Sequence, residues 1–158
     1  MLVFEAPKVV ISEHRELREM LNWVKMEPYP LGEVAESAIK VLEPHVQKEE
    51  GFALPPLALL PQLAKGEFKP EMSQALDMAK KLREGYDDML IDHRLISAAL
   101  EKLRVGAINR NRSGIVEVIE KFFTHIKMEE QIFYPATLLI GEYIKQNANQ
   151  LSFAQSTT

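Results

Sequence analysis

Apolar residues recur every three or four positions over four long stretches, the spacing that lines one face of an α-helix. The first runs from about Ser12 to Met26, with His14, Leu17, Leu21 and Val24 on one stripe. Ser12 is placed to cap it, and Pro28 and Pro30 to end it. The second runs from about Gly32 to Gly51, on Val34, Ala35, Ala38, Ile39 and Leu42, then His45 and Glu49. The third runs from about Glu71 to Leu103, on Met72, Ala75, Ala79, Leu82, Tyr86, Met89, His93, Ile96 and Leu100. The fourth runs from about Gly114 to Gln146, on Ile115, Val118, Phe122, His125, Glu129, Ile132, Ala136 and Ile140. Residues 51–70 mix Pro and Gly with leucines, which predicts an ordered apolar connection with a short helix. Gly106 to Ser113 read as a polar turn, with Ser113 as the cap of the fourth helix. Pro44 predicts a bend just before His45, or a break that restarts the helix at Pro44. No strand is needed. The pattern predicts an all-α fold over residues 1–146, an antiparallel up-down four-helix bundle built from a duplicated helix pair. Residues 147–158 are polar and predict a frayed tail.

The polar residues on these stripes form a repeat. The first copy is Glu13-His14-Arg15, then His45-Val46-Gln47-Lys48-Glu49-Glu50, then Pro55. The second is Asp92-His93-Arg94, then His125-Ile126-Lys127-Met128-Glu129-Glu130, then Pro135. The histidines of a copy stand 31 residues apart in the first and 32 in the second, and the proline follows the second histidine by ten in both. All 4 histidines of the chain fall inside the pattern. Residues four apart share a helix face, so each His-x-x-x-Glu pair sets an imidazole beside a carboxylate where Leu or Ile would be expected. Two carboxylates in one core need positive charge, and the stripes offer no Lys or Arg near this level. Metal ions would supply it. Four imidazoles and two carboxylates suit iron, manganese or zinc better than calcium or magnesium. A lone core histidine is more often a satisfied polar residue than a ligand. The duplication at matched spacing shifts the balance to metal binding by His14, His45, Glu49, His93, His125 and Glu129. Glu50 and Glu130 point about 100° away from their neighbours. They read either as solvated or supporting carboxylates or as extra ligands. Arg15 and Arg94 are expected on the rim, and Tyr86 and Met89 in the core beside the site.

Composition narrows the alternatives. A chain of 158 residues with 46% hydrophobic and 27% charged residues is ordinary for one soluble domain. A net charge of −4 argues against a nucleic-acid partner. The absence of cysteine excludes disulfides, thiolate metal sites and cysteine catalysis. No apolar run reaches membrane-spanning length, and MLVFEAPK lacks the form of a signal peptide, so a cytoplasmic protein with no membrane partner is expected.

The motifs H45VQKEEGFALP55 and H125IKMEEQIFYP135, with His14 and His93 upstream, resemble those of the hemerythrin-like, histidine–histidine–glutamate cation-binding family. The likeness runs from about Ser12 to Tyr143. It implies a four-helix bundle around two non-haem iron ions, with manganese or zinc as alternatives. By resemblance, His14 and His45 bind one iron and His93 and His125 the other. Glu49 and Glu129 bridge them, with an oxo or hydroxo group completing the bridge. The oxygen-carrying members hold a second histidine one turn from the first on the third helix. Here Met89 and Ser97 stand at those places, and Glu129 replaces an aspartate. Water or Glu130 would fill the vacant position, and efficient reversible oxygen carriage is not expected.

Three functions compete. The leading one is a di-iron protein that binds or senses a small ligand: oxygen, nitric oxide, peroxide or iron itself. The second is a di-iron oxidoreductase that consumes peroxide or handles nitric oxide. The third is an iron store or metal sensor. The protein partner of any sensor is not legible in the sequence.

Overall fold

The computed structural model describes residues 4–149. Among them every regular element is helical and no strand occurs. The α-helices are α1 (Lys8–Val24), α2 (Leu31–Lys48), α3 (Leu60–Ala64), α4 (Gln74–Glu84), α5 (Tyr86–Asn109), α6 (Ser113–Met128) and α7 (Tyr134–Gln146). Short 3₁₀ turns cover Pro55–Leu59 and Pro70–Ser73, and π-helical turns cover Glu49–Ala53 and Glu129–Phe133. No helix among the described residues is long and apolar enough to cross a membrane. The expected tail from residue 147 lies outside the described residues beyond 149.

The chain divides into two compact units. The first, Lys8–Gln47 with Asp87–Glu129, contains α1, nearly all of α2, α5 and α6. Each helix contributes its apolar stripe to one core. Leu17 and Leu21 come from α1, Ala35, Ala38 and Leu42 from α2, Ile96, Leu100 and Leu103 from α5, and Ile119 and Phe122 from α6. Each buried leucine or isoleucine contributes roughly 1.5–3 kcal/mol relative to an exposed one. This core fixes the facing of the four helices, and with it the level at which the histidines meet. Gly32 is required at the start of α2. A Cβ there would lie 2.2 Å from the Glu27 carbonyl oxygen, so only glycine lets the chain turn this tightly out of α1. Arg18 and Glu43 form a two-pronged ion pair at 2.9 Å on the rim. Arg15 and Arg94 are exposed, as expected.

Among the described residues, the second unit takes in residues 4–7, 48–86 and 130–149, and holds the π turn Glu49–Ala53, the rest of the second π turn after Glu129, α3, α4 and α7. The apolar connection is ordered: Ala53, Leu54, Pro55, Pro56, Leu57, Leu59 and Leu63 are buried. Helices α4 and α7 approach so closely that a Cβ on Gly141 would sit 2.5 Å from that of Ala79. The Thr137 hydroxyl donates to the Ala53 carbonyl at 2.6 Å.

Several boundaries differ from the sequence expectation. Helix α1 starts at Lys8, so Ser12 is an exposed helical residue and not the cap. The β-branched run Val9-Val10-Ile11 has low helix propensity, but Val10 continues the buried stripe, and packing prevails. The third helix starts at Gln74, pauses at Gly85 and continues to Asn109. Helix α6 opens with Ser113 itself; the residue at its cap is Arg112, with no side-chain cap. Asn111 turns the chain there at φ 56°, a left-handed conformation that Asn tolerates. Helix α2 runs unbroken through Pro44, whose ring lies on an exposed turn. The irregularity falls one turn later, at Glu49. There the Leu54 N–H donates to the Glu49 carbonyl at 2.9 Å, a bond spanning five residues. Such a turn takes in one extra residue and rotates the downstream face by about 100°. After Glu129 the buried face therefore passes to Tyr134, Thr137, Ile140 and Ile144. Ile132, expected in the core, is 49% exposed, and Ala136 is only half-buried.

Candidate metal centre

The four histidines and Glu129 are all buried in the first unit, between 0% and 3% exposed. His14 comes from α1, His45 from α2, His93 from α5 and His125 from α6; Glu129 follows directly on α6. Each sits where the apolar stripe of its helix would place a core residue. Within this unit the structure brings together His14, His45, His93, His125 and Glu129. Among the described residues no Lys or Arg is buried beside them.

Glu129 is central. Its Oε1 lies 2.5 Å from His125 Nε2 and 3.3 Å from His14 Nε2. Its Oε2 lies 3.1 Å from His93 Nε2. The two oxygens of one carboxylate thus face two different groups of imidazoles. One group is His14 with His125, whose Nε2 atoms are 3.1 Å apart. The other is His45 with His93, whose rings meet edge to face at 4.6 Å. Within each group the ligand atoms, Glu129 included, all lie within 4.8 Å of one another. Metal–ligand bonds of about 2.1 Å put adjacent corners of an octahedron about 3.0 Å apart, so these separations match an ion's ligand shell. The donor set is imidazole nitrogen and carboxylate oxygen, which fits iron, manganese or zinc.

This grouping corrects the pairing that the family resemblance implied. His14 stands with His125, not with His45, and His93 stands with His45, not with His125. The reason is helix packing: α1 lies against α6, so each group takes one histidine from each copy of the repeat.

Two residues with no assigned role in the sequence orient the imidazoles. The Nδ1–H of His45 donates to Asp92 Oδ2 at 3.0 Å. The Nδ1–H of His125 donates to Glu13. Glu13 and Asp92 each directly precede the first histidine of their own copy, and each holds the second histidine of the other copy. An ionised carboxylate only accepts, so it fixes the proton on Nδ1 and leaves Nε2 as the metal-facing lone pair. The acidic residue before His14 and before His93 was the available signal, but its partner is visible only once the helices are packed. Phe122 stacks on His125, with ring centres 4.9 Å apart and planes 15° apart, and closes that side.

The charge balance is tight. Burial alone would push the His125 imidazole down. The hydrogen bond and charge of Glu129, and then the hydrogen bond of Glu13, outweigh it against the opposing charge of His14, and the group is held above its ordinary value.

Glu49 belongs to the second unit, at the head of the first π turn. It is 1% exposed, and the hydroxyl of Tyr134 donates to its Oε1. Tyr134 is a second buried polar residue that the sequence reading missed, because a regular helix puts it off the buried face. Met89 is buried in the core of α5 as expected, and Ser97 is half-buried. Glu50 and Glu130 are half-buried. Burial, and then the charge of Glu130, hold the half-buried Tyr86 phenol above its ordinary value.

The family model of the hemerythrin HHE cation binding domain matches the chain over residues 6–137. Comparisons with curated proteins and with solved structures gave no match. With most of its length matched and a buried histidine–glutamate cluster at its centre, the chain belongs to the hemerythrin HHE cation-binding family.

Proposed function

We propose that the protein binds two iron ions side by side and presents them to a small ligand: oxygen, nitric oxide or peroxide. The observation that carries this reading is Glu129, whose two oxygens face two separate imidazole groups. His14 and His125 would hold one ion and His45 and His93 the other, with Glu129 between them. On the sequence repeat alone, Glu49 would be a further carboxylate ligand. It repeats the His-x-x-x-Glu spacing of Glu129, and the helical backbone continues from α2 into the turn that Glu49 opens. The four long helices are read as an up-down antiparallel bundle made of a duplicated pair.

Bound iron would supply an open coordination position and one-electron redox chemistry. The chain's own residues set the conditions for it. Burial of all four histidines keeps bulk water away. Asp92 and Glu13 keep the Nε2 lone pairs directed inward. Met89 and Ser97, one turn to either side of His93, offer no second imidazole on the third helix, which would leave the shell one nitrogen short of the oxygen-carrying members. That observation favours a second reading, an oxidoreductase that consumes peroxide.

The test is to load the protein anaerobically with ferrous iron and follow its visible spectrum on adding nitric oxide, oxygen or peroxide separately. A saturable spectral change with one of the three supports ligand binding. Repeated turnover of peroxide supports the oxidoreductase. An iron-loaded protein whose spectrum none of them alters would contradict both.

A further inference from the structure

We propose that Tyr134 is a positioning residue for Glu49, and that it makes the two halves of the duplicated site chemically unequal. This rests on the reading of Glu49 as a metal ligand. The phenol is wholly buried, at 0% exposure, and its O–H donates to Glu49 Oε1 within the second unit. A hydroxyl donating to an ionised carboxylate is among the stronger hydrogen bonds, and a buried site excludes the water that would compete with it.

The backbone places the phenol there. Tyr134 follows Glu129 by five residues across the π turn Glu129–Phe133. Without the extra residue of that turn, residues 132, 133 and 136 would follow Glu129 inward and Tyr134 would face away. The first copy has the same turn at Glu49–Ala53, and the residue five after Glu49 is Leu54. Leu54 is also wholly buried. The two copies therefore share a backbone device and differ in what it delivers, a hydroxyl in one and methyl groups in the other. Leu54 has no proton to donate, so this matched position supplies a phenol in one copy and methyl groups in the other.

A hydrogen bond to a ligating carboxylate fixes its rotamer and draws electron density from it, and both effects tune the metal. The ring of Tyr86 meets that of Tyr134 edge to face, with centres 6.0 Å apart and planes at 76°, and limits how far the phenol can swing.

The experiment is an anaerobic ferrous-iron titration of the whole protein, wild type beside Tyr134→Phe and Thr137→Val. Thr137→Val is the control: it removes another buried hydrogen bond of the same unit without touching a carboxylate. Tyr134→Phe is expected to weaken one ion by about tenfold to a hundredfold, the usual effect of losing an outer partner of a ligand. Thr137→Val is expected to lower the melting temperature and leave affinity within about twofold, its hydroxyl bonding a backbone carbonyl and no ligand. Wild type that takes up no iron overturns the metal reading and this proposal with it. Wild type that binds two ions with Tyr134→Phe equal to it overturns the role of Tyr134 alone. Equal weakening in both variants reduces Tyr134 to packing and also overturns it. Should Tyr134→Phe fail to fold, wild type labelled with 3-fluorotyrosine serves instead. Of its 4 tyrosine signals, that of Tyr134 must move on adding ferrous iron while that of the exposed Tyr29 stays. An unmoved Tyr134 signal overturns the proposal.

Discussion

Removing Asp92 should weaken one metal ion far more than the other. Asp92 accepts the Nδ1–H of His45 at 3.0 Å, where the imidazole is 2% exposed and the carboxylate 24%. A hydrogen bond to a charged group is worth about 1.5–3 kcal/mol, and the partial exposure of Asp92 puts this one near the lower end. At about 1.4 kcal/mol per factor of ten, Asp92→Ala should weaken the ion proposed for His45 and His93 by roughly tenfold to thirtyfold. Asp92→Asn keeps an oxygen that accepts the same N–H and loses only the charge, so about threefold is expected. Glu13→Ala should do the same to the ion proposed for His14 and His125, since Glu13 accepts from His125. The assay is anaerobic competition for ferrous iron against a chelator, resolved into two binding steps. Unchanged steps in Asp92→Ala would refute the reasoning. So would equal weakening of both steps, because the hydrogen bond that is removed is one to His45.

Chelator-stripped protein should melt well below the loaded form, because metal that binds only the folded state adds about 4 kcal/mol at a free concentration a thousandfold above the dissociation constant; coincident melting curves would contradict this. The raised His125 value gives the two forms opposite pH trends. A proton held above its unfolded value stabilises the stripped protein below about pH 6.5 and is lost as pH rises through the folded value, whereas metal must displace that proton and binds less tightly as pH falls. Melting temperatures from pH 5.5 to 8 should therefore diverge, and parallel curves would count against it. Gly32→Ala should cost at least 1–3 kcal/mol in urea unfolding, roughly the cost of overpacking, since the added carbon meets a backbone carbonyl at 2.2 Å; wild-type stability would show that the turn relaxes.

The sequence showed most of the site and less of its wiring. His14, His45, His93, His125 and Glu129 stood out because polar residues interrupt stripes of leucine and isoleucine, and that is a local signal. The grouping of His14 with His125 did not, because it depends on which helices lie side by side. The roles of Glu13 and Asp92 were hidden for the same reason: each acts on the other copy. The helices themselves were legible from the period of their apolar residues, but only while that period held. Beyond Glu129 the π turn shifts the face by one residue, so Ile132, which the helical period puts inside, is exposed, and Tyr134, which it puts outside, is buried. Pro44 drew attention as a breaker, yet the helix runs through it and departs from α geometry only at Glu49.

The most direct test of the central claim is the number of ferrous ions bound per chain, measured by anaerobic titration with metal analysis, in wild type and in Glu129→Gln. If Glu129 joins two imidazole groups, wild type takes up two ions, and Glu129→Gln weakens both, because the one carboxylate serves both groups. A single ion in wild type, or two ions bound as tightly in Glu129→Gln, would contradict the account.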